Sequence, residues 1–238
     1  MKIFDCHAHI TESFAKYHLE VVGKMVIFNS FEDFDLNSPK IEKQDAKAII
    51  LDFRNNFQRV KSLVETKQVN ALKIHSRIQR IAETDLDLVL EHISLLNTRL
   101  PIIYDAFYYG PDLDFQPSLH HLTTIAKTFP QNPIVVAHCG GHKVLEYFYH
   151  LRPLTNIYYD LSFSLGYLKT TSAYQDLQNL IRFSDKTKVM FGSDFPFTDP
   201  VSQFQNFKQI AADLSLNDQE VNQIVLENAH SLYKEQNG

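Results

Sequence analysis

Two histidines one residue apart, His7 and His9, open the chemistry of this chain in the stretch FDCHAHI at residues 4–10. Asp5 shares their alternation, so in a strand all three side chains face one side. Neighbours in that set stand ~7 Å apart along a strand that rises ~3.3 Å per residue. Imidazoles splayed from a strand end can still converge on one ion ~2.0–2.1 Å from each nitrogen. More residues of ligand or proton-transfer type close later apolar runs: Asp52 with Arg54, then Lys73, His75 and Arg77, then Asp105, His138, Asp160 and Asp194. A single strand histidine is more often a satisfied structural residue, and His-x-His alone is a weak signal. The recurrence at strand ends carries the argument. His92, His120, His121, His142 and His150 fall on helical stretches and read as structural or solvated, as does His230. The pairs Tyr158/Tyr159 and Phe195/Phe197 read as packing.

The elements that position these residues are legible from period and composition. Eight short runs rich in β-branched or aromatic residues read as strands: KIFDCHAHI (2–10), KMVIFNS (24–30), KAIILDF (47–53), NALKIHS (70–76), PIIYDAF (101–107), PIVVAHC (133–139), NIYYDLS (156–162) and KVMFGSD (188–194). Helical periods lie between them. Over 83–97, Leu86, Leu88, Val89, Leu90, Ile93 and Leu96 make an apolar stripe with Thr84 as N-cap. Residues 118–129 and 172–184 read the same way. So do 216–234, where Asn217 and Glu220 form a variant of the capping box. Residues 30–45 read as a loop with a short helix.

Strands alternating with helices pair in parallel through right-handed crossovers. The length of 238 residues suits a closed (β/α)₈ TIM-type barrel, typically ~250 residues. The glycines number only 7, and no Gly-x-Gly-x-x-Gly follows a strand, which removes support for a dinucleotide-binding sheet. The expected organisation is one domain over 1–238, with a C-terminal helix after the last strand. In a barrel all the strand ends named above meet at one face, where barrel enzymes place their chemistry.

Composition narrows the function classes. The chain is 44% hydrophobic and 21% charged with a net charge of -5, an ordinary globular balance opposite to that of nucleic-acid binders. No apolar run approaches the ~20 residues that span a bilayer, and MKIFDCHAHI has no apolar signal core. Two cysteines, Cys6 and Cys139, argue against a disulfide framework. The expectation is a cytoplasmic protein with a small-molecule substrate, with neither nucleic acid nor membrane as partner.

The segments DCHAHI, LKIHSR, PIVVAHCGG, NIYYDLS, FGSDFPF and IVLENAHSLYK, in this order from Lys2 to about Lys234, resemble the amidohydrolase superfamily, and most of all its amidohydrolase-2 branch of metal-dependent hydrolases and decarboxylases. The resemblance implies a (β/α)₈ barrel with a divalent metal at the strand ends, commonly zinc. It implies His7 and His9 as strand-one ligands. It implies Asp194 as the strand-eight aspartate that binds metal and handles the proton of the attacking water. It implies His138 as the residue that polarises the substrate or binds a second metal. Members of the branch are often dimers or larger, which makes a homodimer one form the resemblance allows.

The departure is at strand five, where the family usually carries histidine and PIIYD places Asp105. A carboxylate binds zinc at ~2.0–2.2 Å, so Asp105 is taken as a ligand. A second carboxylate makes the site harder and introduces manganese as an alternative. One ion is expected rather than two. Lys73, the strand-four position that bridges metals in binuclear relatives, is assigned instead to a substrate carboxylate, because His75 and Arg77 beside it form an anion-binding edge. The expected activity is hydrolysis of a small carboxylate-bearing lactone, ester or amide. The alternatives are a non-oxidative decarboxylase using the same site and a degenerate barrel that binds a ligand or metal without turnover.

Overall fold

Eight strands, hydrogen-bonded in parallel and in chain order, wrap into a barrel in this computed structural model, which describes residues 1–9 and 20–234. The strands are β1 (Lys2–His9), β2 (Glu20–Phe28), β3 (Ala46–Ile50), β4 (Ala71–Ile74), β5 (Ile102–Asp105), β6 (Ile134–Ala137), β7 (Ile157–Asp160) and β8 (Val189–Met190). Helices α1 (Phe57–Glu65), α2 (Ser76–Gln79), α3 (Leu86–Leu96), α4 (Leu119–Thr128), α5 (Val144–Leu151), α6 (Ser164–Tyr167), α7 (Ala173–Phe183) and α8 (Pro200–Asp213) follow the strands from β3 onward. After α8, α9 (Asp218–Asn222) leads through a π-helical turn into α10 (Asn228–Lys234). All eight expected strands are present. β2 begins earlier than its expected run, at Glu20, because pairing with β1 from Lys2 onward carries the strand through Glu20 and Gly23, residues of weak strand preference. Residues 30–45 hold turns and bends and no helix. The cap of α3 also differs: a 3₁₀ turn over Glu83–Asp85 precedes it, Asp85 and not Thr84 stands at the N-cap, and its carboxylate turns back to accept the Ala82 N–H at 2.9 Å. At α9 the expected capping box is formed by Asn217 and Glu220. Among the described residues, no helix is long and apolar enough to cross a membrane.

Alternation divides the core. Ala71, Ile103, Val135, Ala137 and Met190 pack with Phe4, Met25 and Ile27 inside the barrel. Leu72, Ile74, Ile102, Val136, Val189 and Phe191 pack outward under the helices. Leu232 and Tyr233 of α10 join the inner cluster. Continued past the inner core, the same phase points Lys73, Asp105 and Asp160 into the barrel mouth.

The barrel closes at its weakest pairing, between the two-residue β8 and β1. Cys6 N–H donates to Phe191 O at 3.0 Å, Asp194 N–H to His7 O at 2.8 Å, and His9 N–H to Phe195 O at 2.7 Å. The Asp5 carboxylate accepts the Ser193 N–H at 2.8 Å and the Ser193 hydroxyl at 2.6 Å, fully buried. Asp5 is therefore the structural member of the opening triplet. Asp5→Ala should destabilise the barrel by about 3 kcal/mol, the scale of two hydrogen bonds to a buried charge, read as a lower urea midpoint; an unchanged midpoint would deny the seam this role.

Candidate active site

His7, His9 and Asp194 bring three ligand atoms together. His7 Nε2 lies 3.5 Å from Asp194 Oδ1, and His9 Nε2 lies 3.2 Å from it. Ligands ~2.0–2.2 Å from one tetrahedral ion stand roughly this far apart. The tautomers suit the same purpose. His7 Nδ1 donates to Asp160 Oδ2 at 2.6 Å and His9 Nδ1 donates to Ile27 O at 3.1 Å, which turns both Nε2 lone pairs toward Asp194. Metal-binding histidines are held by such outer hydrogen bonds. Burial, and then the Lys73 charge, push His7 down to about 4, so its imidazole is neutral at pH 7. Burial opposes the ionisation of Asp194, but the charges and hydrogen bonds of His138, His9 and His7 outweigh it and hold the carboxyl below its ordinary value. The donor set, two imidazoles and one carboxylate, fits a divalent ion.

Asp160 has no counterpart in the roles read from the sequence. Its buried carboxylate accepts from His7 Nδ1, from Ser162 N–H at 2.7 Å and from the Cys6 thiol at 3.2 Å. His7 overcomes the burial penalty and keeps Asp160 well below the usual carboxylate range. The signal available in the sequence was NIYYD itself, an acid at the inward phase of a strand end.

The structure brings Asp105 beside the cationic groups and not beside the ligand trio. Its Oδ2 lies 3.6 Å from Lys73 Nζ, 3.4 Å from His75 Nε2 and 3.5 Å from His138 Nε2, and Oδ1 lies 3.7 Å from Arg77. These neighbours overcome burial and hold Asp105 well below its ordinary value. The carboxylate is thereby placed as their counter-ion, which is a physical reason for acid at this strand end. Lys73 Nζ also donates to His7 Nε2 at 3.3 Å. His75 contributes no charge to the expected anion-binding edge, since burial lowers it to about 4 despite Asp105. Its Nδ1 accepts from Ile78 N–H, so Nε2 is the donor toward Asp105.

His138 reaches the mouth through its backbone. Val135 and Ala137 are the inward positions of β6, so continued alternation would turn the next side chain away. A left-handed run with φ of 58° at His138, 51° at Cys139, 84° at Gly140 and 58° at Gly141 redirects the chain. A Cβ at Gly140 would stand 2.6 Å from the Tyr147 ring, and one at Gly141 2.6 Å from Phe107, so HCGG admits no larger residue there. His138 Nδ1 faces Ser162 O and Oγ, each at 3.1 Å. Burial lowers His138, but the Asp105 hydrogen bond and the charges of Asp194 and Asp105 prevail and push it up to about 9. It is an imidazolium at neutral pH.

These groups floor a cavity of about 640 Å³. Phe107, Tyr109, Phe163, Tyr167 and Phe197 form its walls. Phe163 stacks on Tyr167 at 4.9 Å, and Phe107 meets both edge-on. Phe197, read above as packing, is 68% exposed at the rim with its ring perpendicular to that of His9. Of the helical histidines, His121 is structural, its Nε2 bonded to Glu83 O at 2.9 Å.

The fold is shared with solved structures at low identity. An uncharacterised TIM-barrel protein of Bordetella bronchiseptica superposes with a TM-score of 0.73 at 12% identity, over 92% of this chain and 80% of that one. For 2,6-dihydroxybenzoate decarboxylase from Rhizobium the TM-score is 0.63 at 12% identity, over 99% and 98% of the two chains. For dihydroorotase from Saccharomyces cerevisiae it is 0.66 at 10% identity, over 98% and 84%. No curated protein sequence matches this chain. The amidohydrolase family model, Amidohydro_2, matches residues 59–234, from α1 to α10 and well over half of the sequence, and the chain belongs to that amidohydrolase family.

Proposed function

We propose that the protein is a metal-dependent hydrolase of small, carboxylate-bearing lactones, esters or amides. The observation that carries this reading is the convergence of His7 Nε2 and His9 Nε2 to within 3.5 Å of Asp194 Oδ1, beside a charged His138. These three residues would hold one divalent ion, and the nitrogen-rich set favours zinc over manganese. When bound, such an ion supplies Lewis acidity, polarising a carbonyl and lowering the pKa of water toward ~7. Asp194 takes the proton of the attacking water and returns it to the leaving group. His138 donates to the oxyanion as the charge develops. Lys73, Arg77 and His138 set three positive charges around the one carboxylate of Asp105, and that surplus draws a substrate carboxylate to the floor. Three aromatic rings packed in the cavity wall, Phe107, Phe163 and Tyr167, favour a second reading, decarboxylation of an aromatic acid. There His138 would protonate the ring carbon as carbon dioxide departs.

The test is metal content of the purified protein by mass spectrometry, followed by a panel of lactones, esters, amides and aromatic carboxylates. Turnover of an acyl substrate supports the first reading and carbon dioxide release the second. Protein that binds metal or a panel compound but turns none over is a binding barrel. Lys73→Met should raise KM about 10- to 100-fold, the scale of a charge-assisted hydrogen bond, and leave metal content intact. Loss of a metal equivalent would mark Lys73 as a bridge between ions.

A further inference from the structure

A second compartment of about 330 Å³ adjoins the catalytic cavity on the β2–β4 side, and the two share Asn29 and Ile78 as a common wall. Of its charged groups, Glu32 is exposed, and Asp52 and Arg54 are already committed. The Asp52 carboxylate accepts from Arg54 N–H, Asn55 N–H and the Asn56 amide. Arg54 is bound to Gln79 O, Arg80 O and Asp85. What remains open at the wall is Asn29. Among the described residues its buried Oδ1 has no hydrogen-bond partner, although a buried amide oxygen left unpaired costs about 1–3 kcal/mol. A half-turn of the carboxamide exchanges oxygen and nitrogen with little change of shape, so the residue can present an acceptor or a donor to the cavity.

We propose that Asn29 is a specificity-determining residue and that the side compartment takes an uncharged hydrogen-bonding arm, a hydroxyl or carboxamide, of an anionic substrate. The proposal rests on the reading that the floor around Lys73 and Arg77 binds the substrate's carboxylate. The arm lies outside the reacting atoms: it supplies a partner to the otherwise unsatisfied amide, and an analogue lacking it leaves that amide unpaired. Because Asn29 contributes no side-chain hydrogen bond to the described protein, its replacement tests recognition with little risk to folding.

The probes are benzoate and its 2-, 3- and 4-hydroxy derivatives, titrated calorimetrically into wild type, Asn29→Leu and Asn29→Ala. One hydroxy isomer should bind wild type about 10-fold tighter than benzoate, and that ratio should fall to about 1 in both variants. Equal affinities in wild type, or a preference that survives both substitutions, overturns the role of Asn29 alone. Failure of all four compounds to bind wild type overturns the anion-binding reading together with it.

Discussion

Asp194→Asn should leave the barrel folded and lower kcat by about 10²-fold or more, the scale of proton transfer by a placed side chain. Asn is chosen because Asp194 sits at a φ of 64°, a left-handed backbone that Asn tolerates better than most residues. The competing explanation is a structural aspartate capping the loop after β8. Its hydrogen bonds decide against a large structural effect. The turn is held by Ser193, whose Oγ accepts Phe195 N–H at 3.0 Å, and by Asp5 behind it. The Asp194 carboxylate instead faces His7 and His9. A loop cap would cost ~1 kcal/mol of stability and spare turnover per folded molecule. The check is steady-state kinetics on whichever panel substrate is turned over, with metal content and thermal unfolding measured on the same sample. Wild-type kcat in a metal-loaded Asp194→Asn protein would remove Asp194 from proton transfer.

Asp160→Asn is the second large effect, acting on binding. The 2.6 Å hydrogen bond to His7 Nδ1 does two things: it fixes the tautomer, and it raises the basicity of the ligand nitrogen through a buried negative charge. Asn keeps an oxygen for the first task and loses the charge needed for the second. Divalent-ion affinity should fall about 10- to 100-fold, while the circular dichroism spectrum is retained. Asp160→Leu removes both functions, and in metal-free protein nitrogen NMR should show the His7 ring losing its Nδ1–H form. Unchanged ion affinity in both variants would reduce Asp160 to a packing residue.

The two aspartates also show what the sequence could and could not disclose. Strand number, order and phase were legible because β5 and β6 carry uninterrupted apolar runs whose ends change abruptly to polar residues. That change placed Lys73, Asp105, His138, Asp160 and Asp194 at one mouth before any coordinates. The partners of those residues were not legible, because they are set across strands far apart in the chain. Asp105 pairs with groups from β4, α2 and the turn after β6; Asp160 serves a histidine on β1. Nor does a count of cationic residues reveal charge: His75 and His138 are both imidazoles at the same face, and burial leaves one neutral while two aspartates keep the other charged. The reach of His138 depended on a left-handed turn for which only the glycine pair gave a sign. The aromatic wall was missed because rings on loops have no period to read.

The seam between β1 and β8 orders events in time as well as in space. Synthesis delivers His7 and His9 among the first residues, yet Asp5 must wait for Ser193, 188 positions later. Closing so long a loop costs only modestly more entropy than a short one, since the cost grows with the logarithm of length. It is nevertheless a distant contact, of the kind that slows folding. Until it forms, the imidazole pair lacks Asp194 opposite its Nε2 atoms, and a chain interrupted anywhere before β8 carries two of the three residues of the trio. A stalled or truncated product therefore lacks the third member of the trio, and the last strand of the barrel completes what the first begins.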